Sequence, residues 1–182
     1  MLLIIDMIET LISSKTRIKI LLKFFLNSSN KAYLRLLEEE FNESTNAIRL
    51  ELNRFEKAGM LQSVMEGNKK VFTANTKHPL FVNLQQITRK YVGIDTIIEH
   101  MIGQLGRVEE IYLTGTFAQG LDSNRIDLEF VGSVQIKKLS KLIEKTEKMI
   151  NRKIRHKIYT PEEASVLPID TGEGRLLIWS RL

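Results

Sequence analysis

The chain has 182 residues, a formal net charge of +5 and no cysteine, which excludes a disulfide scaffold and leaves length for one good core or two small ones. Its 43% hydrophobic content is that of a globular chain rather than a disordered one. Residues 1–93 hold 14 Lys/Arg against 9 Asp/Glu, net +5, and residues 94–182 hold 13 against 13, so the whole excess sits in the first half, where it would attract a polyanion.

Met1-Leu2-Leu3-Ile4-Ile5-Asp6-Met7-Ile8-Glu9 is apolar, lacks a basic leader and is interrupted by two acids. The expectation is neither a signal peptide nor a membrane span but a short helix packed on the first-half domain or on a partner subunit, in a cytoplasmic protein. From Thr16 to Leu26, Ile18, Leu21, Leu22 and Phe25 recur at helical spacing, and Ala32 to Glu40 predicts a second short helix.

A third helix starts at Ser44, a good N-cap, and stops at Gly59. Steps of 100° send Ile48, Leu52 and Phe55 to one side and Asn46, Leu50, Asn53 and Lys57 to the other, with Arg49 at the edge. The outward side carries what major-groove reading requires: Asn for adenine, Arg for guanine and an apolar side chain for the thymine methyl. Two short strand-like runs, Leu61 to Glu66 and Lys69 to Ala74, then flank Gly67-Asn68, a two-residue hairpin signal. Lys69 and Lys70 sit at the hairpin tip, within reach of phosphates beside a groove.

The stretch Ser44 to Leu61, followed by Glu66-Gly67-Asn68, resembles bacterial ArsR/MarR-type winged-helix transcriptional regulators over roughly the first 75 residues. The resemblance implies a recognition helix in the major groove and a wing along the backbone, with Ser44, Thr45, Asn46, Arg49 and Asn53 on the helix and Lys69 and Lys70 on the wing. With no Cys and three scattered His, metal sensing is not supported.

Beyond Pro79, apolar residues recur at Leu84, Ile87, Tyr91, Ile94, Ile98, Met101 and Leu105, predicting a helical stripe bent or broken near Gly93. Residues 79–106 are therefore expected to link the halves and to form, with Leu2, Leu3, Ile5 and Ile8, a dimer interface. Residues 107–182 alternate strand and helix: strands at Val108 to Thr114, Ile126 to Val131, Ile154 to Tyr159 and Leu176 to Trp179, and an amphipathic helix from Gln135 to Ile150.

Gly115-Thr116-Phe117-Ala118-Gln119-Gly120 and Asn124-Arg125-Ile126-Asp127-Leu128-Glu129 resemble the signature of minimal nucleotidyltransferases of the polymerase-β type. In that family a Gly-Ser turn holds the nucleotide triphosphate, and two carboxylates two residues apart on the next strand bind Mg²⁺. Here Arg125 stands where the first acid is usual. The later strand that should carry a third acid reads Ile154-Arg155-His156-Lys157-Ile158-Tyr159. The resemblance thus implies a degenerate domain without catalytic residues: Asp127 and Glu129 remain as remnants salt-bridged to Arg125, and Gly115 and Thr116 as a remnant phosphate turn.

The reading is an α+β protein: a winged-helix domain at 1–78, a helical linker and dimerisation region at 79–106, and a nucleotidyltransferase-like domain at 107–182. It is a sequence-specific transcriptional regulator that binds double-stranded DNA as a homodimer, without cofactor or metal, and its C-terminal domain takes a nucleotide or a protein partner. Two alternatives stand beside it: an active nucleotidyltransferase, which would need Mg²⁺, and an antitoxin-like protein-binding module.

Overall fold

The computed structural model describes residues 2–166 and 174–181, with side chains from Met7 onward. Within it the chain is mixed α/β with two separate sheets. The first half contains α1 (Leu2–Leu11), α2 (Lys15–Leu21) running directly into a π turn (Leu22–Leu26), β1 (Ala32–Tyr33), α3 (Leu34–Phe41), α4 (Thr45–Lys57) and the hairpin β2 (Leu61–Glu66) and β3 (Lys69–Ala74). Side-chain oxygens cap both principal helices: Ser14 Oγ accepts from Arg17 N and Ser44 Oγ from Ala47 N, each at 3.2 Å. The hairpin closes on two residues, Glu66 opposite Lys69, with Gly67 at φ +58°, a conformation that glycine adopts without steric cost.

The expected helix at Ala32 begins later. Ala32 and Tyr33 pair with Phe72 and Val71 of β3, completing a sheet of order β1-β3-β2. Alanine favours helix locally, but here a long-range ladder takes its backbone groups instead.

The second half contains α5 (Phe81–Val92), α6 (Ile94–Met101), β4 (Gly106–Thr114), the single turn α7 (Gly115–Ala118), β5 (Arg125–Val134), α8 (Ile136–Ile150), β6 (Lys153–Tyr159), α9 (Pro161–Ser165) and β7 (Arg175–Ser180). The four strands stand in the order β6-β5-β4-β7, with β5 and β6 parallel across the α8 connection and the other pairs antiparallel. The helical stripe breaks at Gly93, as expected. Its φ is +94°, and a Cβ there would lie 2.8 Å from Ile150 Cγ2, so both backbone and space demand glycine.

One helix serves both cores. Ile20, Leu21, Phe24 and Phe25 face the first-half core with Leu37, Ile48, Leu52 and Phe55. Ile18, Leu22 and Leu26 of the same segment face the second-half core with Ile94, Ile97, Ile111, Leu128 and Phe130. The π turn makes this feasible by rotating successive side chains away from a strict 3.6-residue register. Polar contacts add to the joint: the buried Asn27 Nδ2 donates to Ala118 O at 2.9 Å.

The stripe after Pro79 is therefore only partly available to a second subunit. Tyr91, Ile94, Met101 and Leu105 are consumed in the chain's own core, because α5 and α6 pack on α1, on the π turn and on α8. Ile87 remains exposed, as do Met7, Leu11 and Val82. The side chains of Leu2, Leu3 and Ile5 lie outside the described residues.

Candidate functional site

The outward face of α4 is formed as its periodicity requires. Ile48, Leu52 and Phe55 are buried, whereas Ser44, Asn46, Arg49, Leu50, Asn53 and Lys57 are exposed and Thr45 is half-exposed. A groove of about 590 Å³ runs between α4, the start of α3 and the hairpin, lined by Thr45, Arg49, Asn53, Tyr33, Arg35, Glu38, Asn68, Lys69, Lys70 and other residues. Five of the seven residues expected to meet DNA thus share one concavity. Ser44, the cap of α4, and Asn46 on it lie outside the groove, and the Ser44 hydroxyl is already engaged in capping.

The two hairpin lysines differ. The Lys69 ammonium sits 4.2 Å above the Tyr33 ring centroid, a contact that restrains the side chain without neutralising its charge. Lys70 Nζ instead reaches back to Glu56 Oε2 of α4 at 2.7 Å. Lys70 and Ser63 hydrogen-bond the Glu56 carboxylate and, against a weaker burial effect, hold its pKa below the usual carboxylate range. Lys70 therefore braces the hairpin against α4, and Lys69 is the lysine left to meet an anion.

Sequence reasoning missed the support beneath this face. Glu51 is buried in α4, where it accepts from Arg17 Nε at 2.8 Å, from Arg17 Nη2 at 3.1 Å and from Arg54 Nη1 at 2.7 Å. Burial pushes its pKa up, but the hydrogen bonds and charges of Arg17 and Arg54 outweigh that and leave it lowered. A signal was present in the pattern: steps of 100° put Glu51 about 40° beyond Phe55, at the flank of the buried arc, and an acid there needs a cationic partner if it is covered.

A second polar constellation lies on the face of the four-stranded sheet opposite its apolar core. Period-2 spacing places Arg125, Asp127 and Glu129 on this face of β5, beside Lys153, Arg155 and Lys157 of β6 in register. The Asp127 side chain is 7% exposed; its Oδ1 accepts from Arg155 Nε at 2.7 Å and forms an ion pair with Arg125 Nε at 3.2 Å. The Arg125 pairing follows from the spacing; Arg155 was not foreseen as a partner. Glu129 does not pair with Arg125 as expected but with Arg175 Nε of β7 at 3.0 Å, both largely buried, and the Arg175 guanidinium lies 3.7 Å over the Tyr112 ring centroid. β7 follows β6 by more than a dozen residues, so only sheet order reveals that partner.

The Gly115-Thr116 turn meets this cluster from the side. A Cβ on Gly115, whose φ is +64°, would lie 2.7 Å from Asp127 Oδ2, so the expected phosphate turn is closed from behind by the Asp127 side chain. Its far end is occupied too: a Cβ on Gly120 would lie 2.5 Å from Lys23 Cα. In this chain the turn is the seat on which the two halves meet. Both carboxylates that could hold a divalent ion have arginine in contact, and a metal would have to displace those guanidiniums to bind.

No family model, curated protein or solved structure matches this chain. The candidate sites therefore stand on their own geometry. Of the three histidines, His78 Nδ1 accepts from Leu80 N at 3.1 Å and His100 Nδ1 lies 3.0 Å from Thr96 O, local turn and helix contacts rather than a shared site. Among the described residues no helix is long and apolar enough to cross a membrane.

Proposed function

We propose that the chain is a cytoplasmic transcriptional regulator whose first half is a winged helix-turn-helix that reads duplex DNA, and whose second half is a nucleotidyltransferase-like domain that no longer transfers nucleotides. The observation that carries this reading is the exposed α4 face with Arg49 and Asn53 lining a groove shared with Lys69 at the hairpin tip. Neither Arg49 nor Asn53 has a side-chain hydrogen bond or ion pair among the described residues, so their donors are free for base edges. Lys69 supplies a phosphate contact that positions the helix without reading sequence. The Arg17-Glu51-Arg54 lock holds α4 against α2, the rigidity a reading helix needs.

Loss of transferase chemistry follows from charge. Nucleotidyl transfer needs metal ions on clustered oxygen ligands to neutralise charge developing on phosphate. In this chain Asp127 is shared by two arginines and Glu129 is held by a third. The second half then acts as a binding module, and Met7, Leu11, Val82 and Ile87 offer apolar surface for a second copy, so that two half-sites are bound together.

The test is retardation of genomic DNA fragments by the purified protein at low salt, followed by sequencing of the retained fragments. A recurrent motif with two-fold symmetry supports the reading, and failure to retard any fragment defeats it. In parallel, incubation with labelled nucleoside triphosphates, Mg²⁺ or Mn²⁺ and cell lysate should give no transfer. Transfer abolished by the Asp127→Ala, Glu129→Ala double substitution would establish the enzyme instead.

A further inference from the structure

The net charge of the second half is zero, yet its charges are segregated. Lys153, Arg155 and Lys157 stand at alternate positions on β6, an edge strand, about 6.6 Å apart. Arg125 of β5 stands beside them, directly opposite Lys153. Arg155, Arg125 and Lys153 are 60%, 53% and 79% exposed at their side chains, and Lys157 is exposed with no ion pair among the described residues. Among the described residues, the carboxylates paired with these four cations are Asp127 and, at the rim, Glu147, which meets Lys153 at 3.0 Å; Glu129 is already neutralised by Arg175. These four cations and their two paired carboxylates together carry a net +2.

The arginines are also oriented. Arg155 Nε donates to Asp127 Oδ1 and Arg125 Nε stands 3.2 Å from the same oxygen, and among the described residues no terminal nitrogen of either guanidinium makes a hydrogen bond, which leaves them for an outside acceptor. A buried carboxylate that hydrogen-bonds one guanidinium and attracts a second lowers the ordering cost of placing both at the surface. Charged side chains on an edge strand also discourage strand-to-strand aggregation, but that role does not call for a buried carboxylate to fix two of them.

We propose that this strip binds the phosphate backbone of duplex DNA, as a sequence-independent contact separate from the α4 groove. A row of cations at regular intervals suits a polymer of anions better than a single phosphate. A single strand would require an open aromatic platform for its bases. Tyr112, the aromatic side chain on this face beside Glu129, has its ring covered by Arg175, and Tyr159 is half-buried at the end of β6. The polymer is the one assigned to α4 above, and the inference rests on that reading only for this identity.

The test uses four full-length proteins: the native chain, a groove variant (Arg49→Ala, Lys69→Ala), a strip variant (Arg155→Gln, Lys157→Ser) and their combination. Binding to a labelled random-sequence duplex, a single strand of the same length and ATP is followed by fluorescence anisotropy across a salt series. The strip variant should lose roughly tenfold in duplex affinity at low salt and flatten the salt slope by about two, one for each cation removed. Motif preference, measured against the retained genomic fragments, should be unchanged in the strip variant and lost in the groove variant. Unchanged duplex affinity and slope in the strip variant overturn the proposal while leaving the α4 reading intact. Binding lost in the strip variant alone upholds it and counts against α4. Tighter strip-dependent binding of the single strand, or ATP competing as one saturable ligand, also overturns it. If the double substitution perturbs the fold by circular dichroism, Lys157→Glu, a change at an exposed unpaired side chain, gives the same readout.

Discussion

Arg17 of α2 grips Glu51 of α4 with two nitrogens, Nε on Oε2 at 2.8 Å and Nη2 on Oε1 at 3.1 Å, so the helix that presents Arg49 and Asn53 is tied by a bidentate ion pair to the helix shared by both cores. Arg54 adds a third donor from α4 itself. A forked pair of this kind fixes orientation as well as distance.

Glu51→Gln should lower stability by about 1 to 3 kcal/mol, since it leaves two arginines without a counter-charge while solvent reaches both of them. The pH dependence has a definite sign. Glu51 titrates lower in the folded protein than in the unfolded chain, so its stabilisation is complete above about pH 4.3 and drains away as the pH falls through the folded value. Urea unfolding of native and Glu51→Gln proteins at pH 7 and pH 3 should show a difference that shrinks at the lower pH. An equal difference at both values would remove the ion pair as its cause.

The two wing lysines should behave differently although they are adjacent. Lys69→Ala should weaken duplex binding for all sequences alike and reduce the salt slope by about one. Lys70→Ala should affect affinity less, because its ammonium is already spent on Glu56, and should show instead as altered hairpin order. Arg49→Ala should cost about 1 to 3 kcal/mol on the preferred sequence and relax the preference. Titrations against preferred and scrambled duplexes distinguish these outcomes, and equal effects from Lys69 and Lys70 would contradict the bracing role of Lys70.

Gly120→Ala should be far more damaging than Gly67→Ala. At Gly67 the new methyl meets nothing within 4 Å, and the cost is that of a positive φ, about 1 to 2 kcal/mol. At Gly120 the φ is +75° and the methyl would lie 2.5 Å from Lys23 Cα and 2.8 Å from Lys23 O. Backbone cannot step aside as a flexible side chain can, so the joint between the halves must open. An additional loss of at least about 1 to 3 kcal/mol is expected from the overpacking. Thermal melting of both variants checks this, and similar melting temperatures would mean the halves do not depend on that seat.

Sedimentation should give a species of twice the 21.0 kDa chain. Leu11, 80% exposed, and Val82, 58% exposed, lie on the packed helices α1 and α5. Leu11→Ser with Val82→Asp should return the protein to monomer without changing its melting in dilute solution. A native protein that sediments as a single chain at micromolar concentration would exclude this interface.

Local pattern determined much about this chain without any tertiary contact. Ser44 and Gly59 bound α4 because capping and termination act within one turn, and Gly67-Asn68 closes a hairpin because a two-residue turn needs its own φ. The split of α4 into Ile48, Leu52 and Phe55 against Asn46, Arg49 and Asn53 follows from the 100° step alone. So does the placing of Arg125, Asp127 and Glu129 on one face of a strand, from a step of two. Tertiary structure decided what these residues touch: Ala32 joins a sheet instead of a helix, Tyr91 and Met101 fill the chain's own core, Glu129 turns to Arg175, and Asp127 takes Arg155 as well as Arg125. Three ion pairs that local spacing did not reveal, Asp127 with Arg155, Arg17 with Glu51 and Glu129 with Arg175, join residues 28, 34 and 46 positions apart. Such meetings are set by the sum of many burial and pairing energies over the whole chain, which no short window of residues contains.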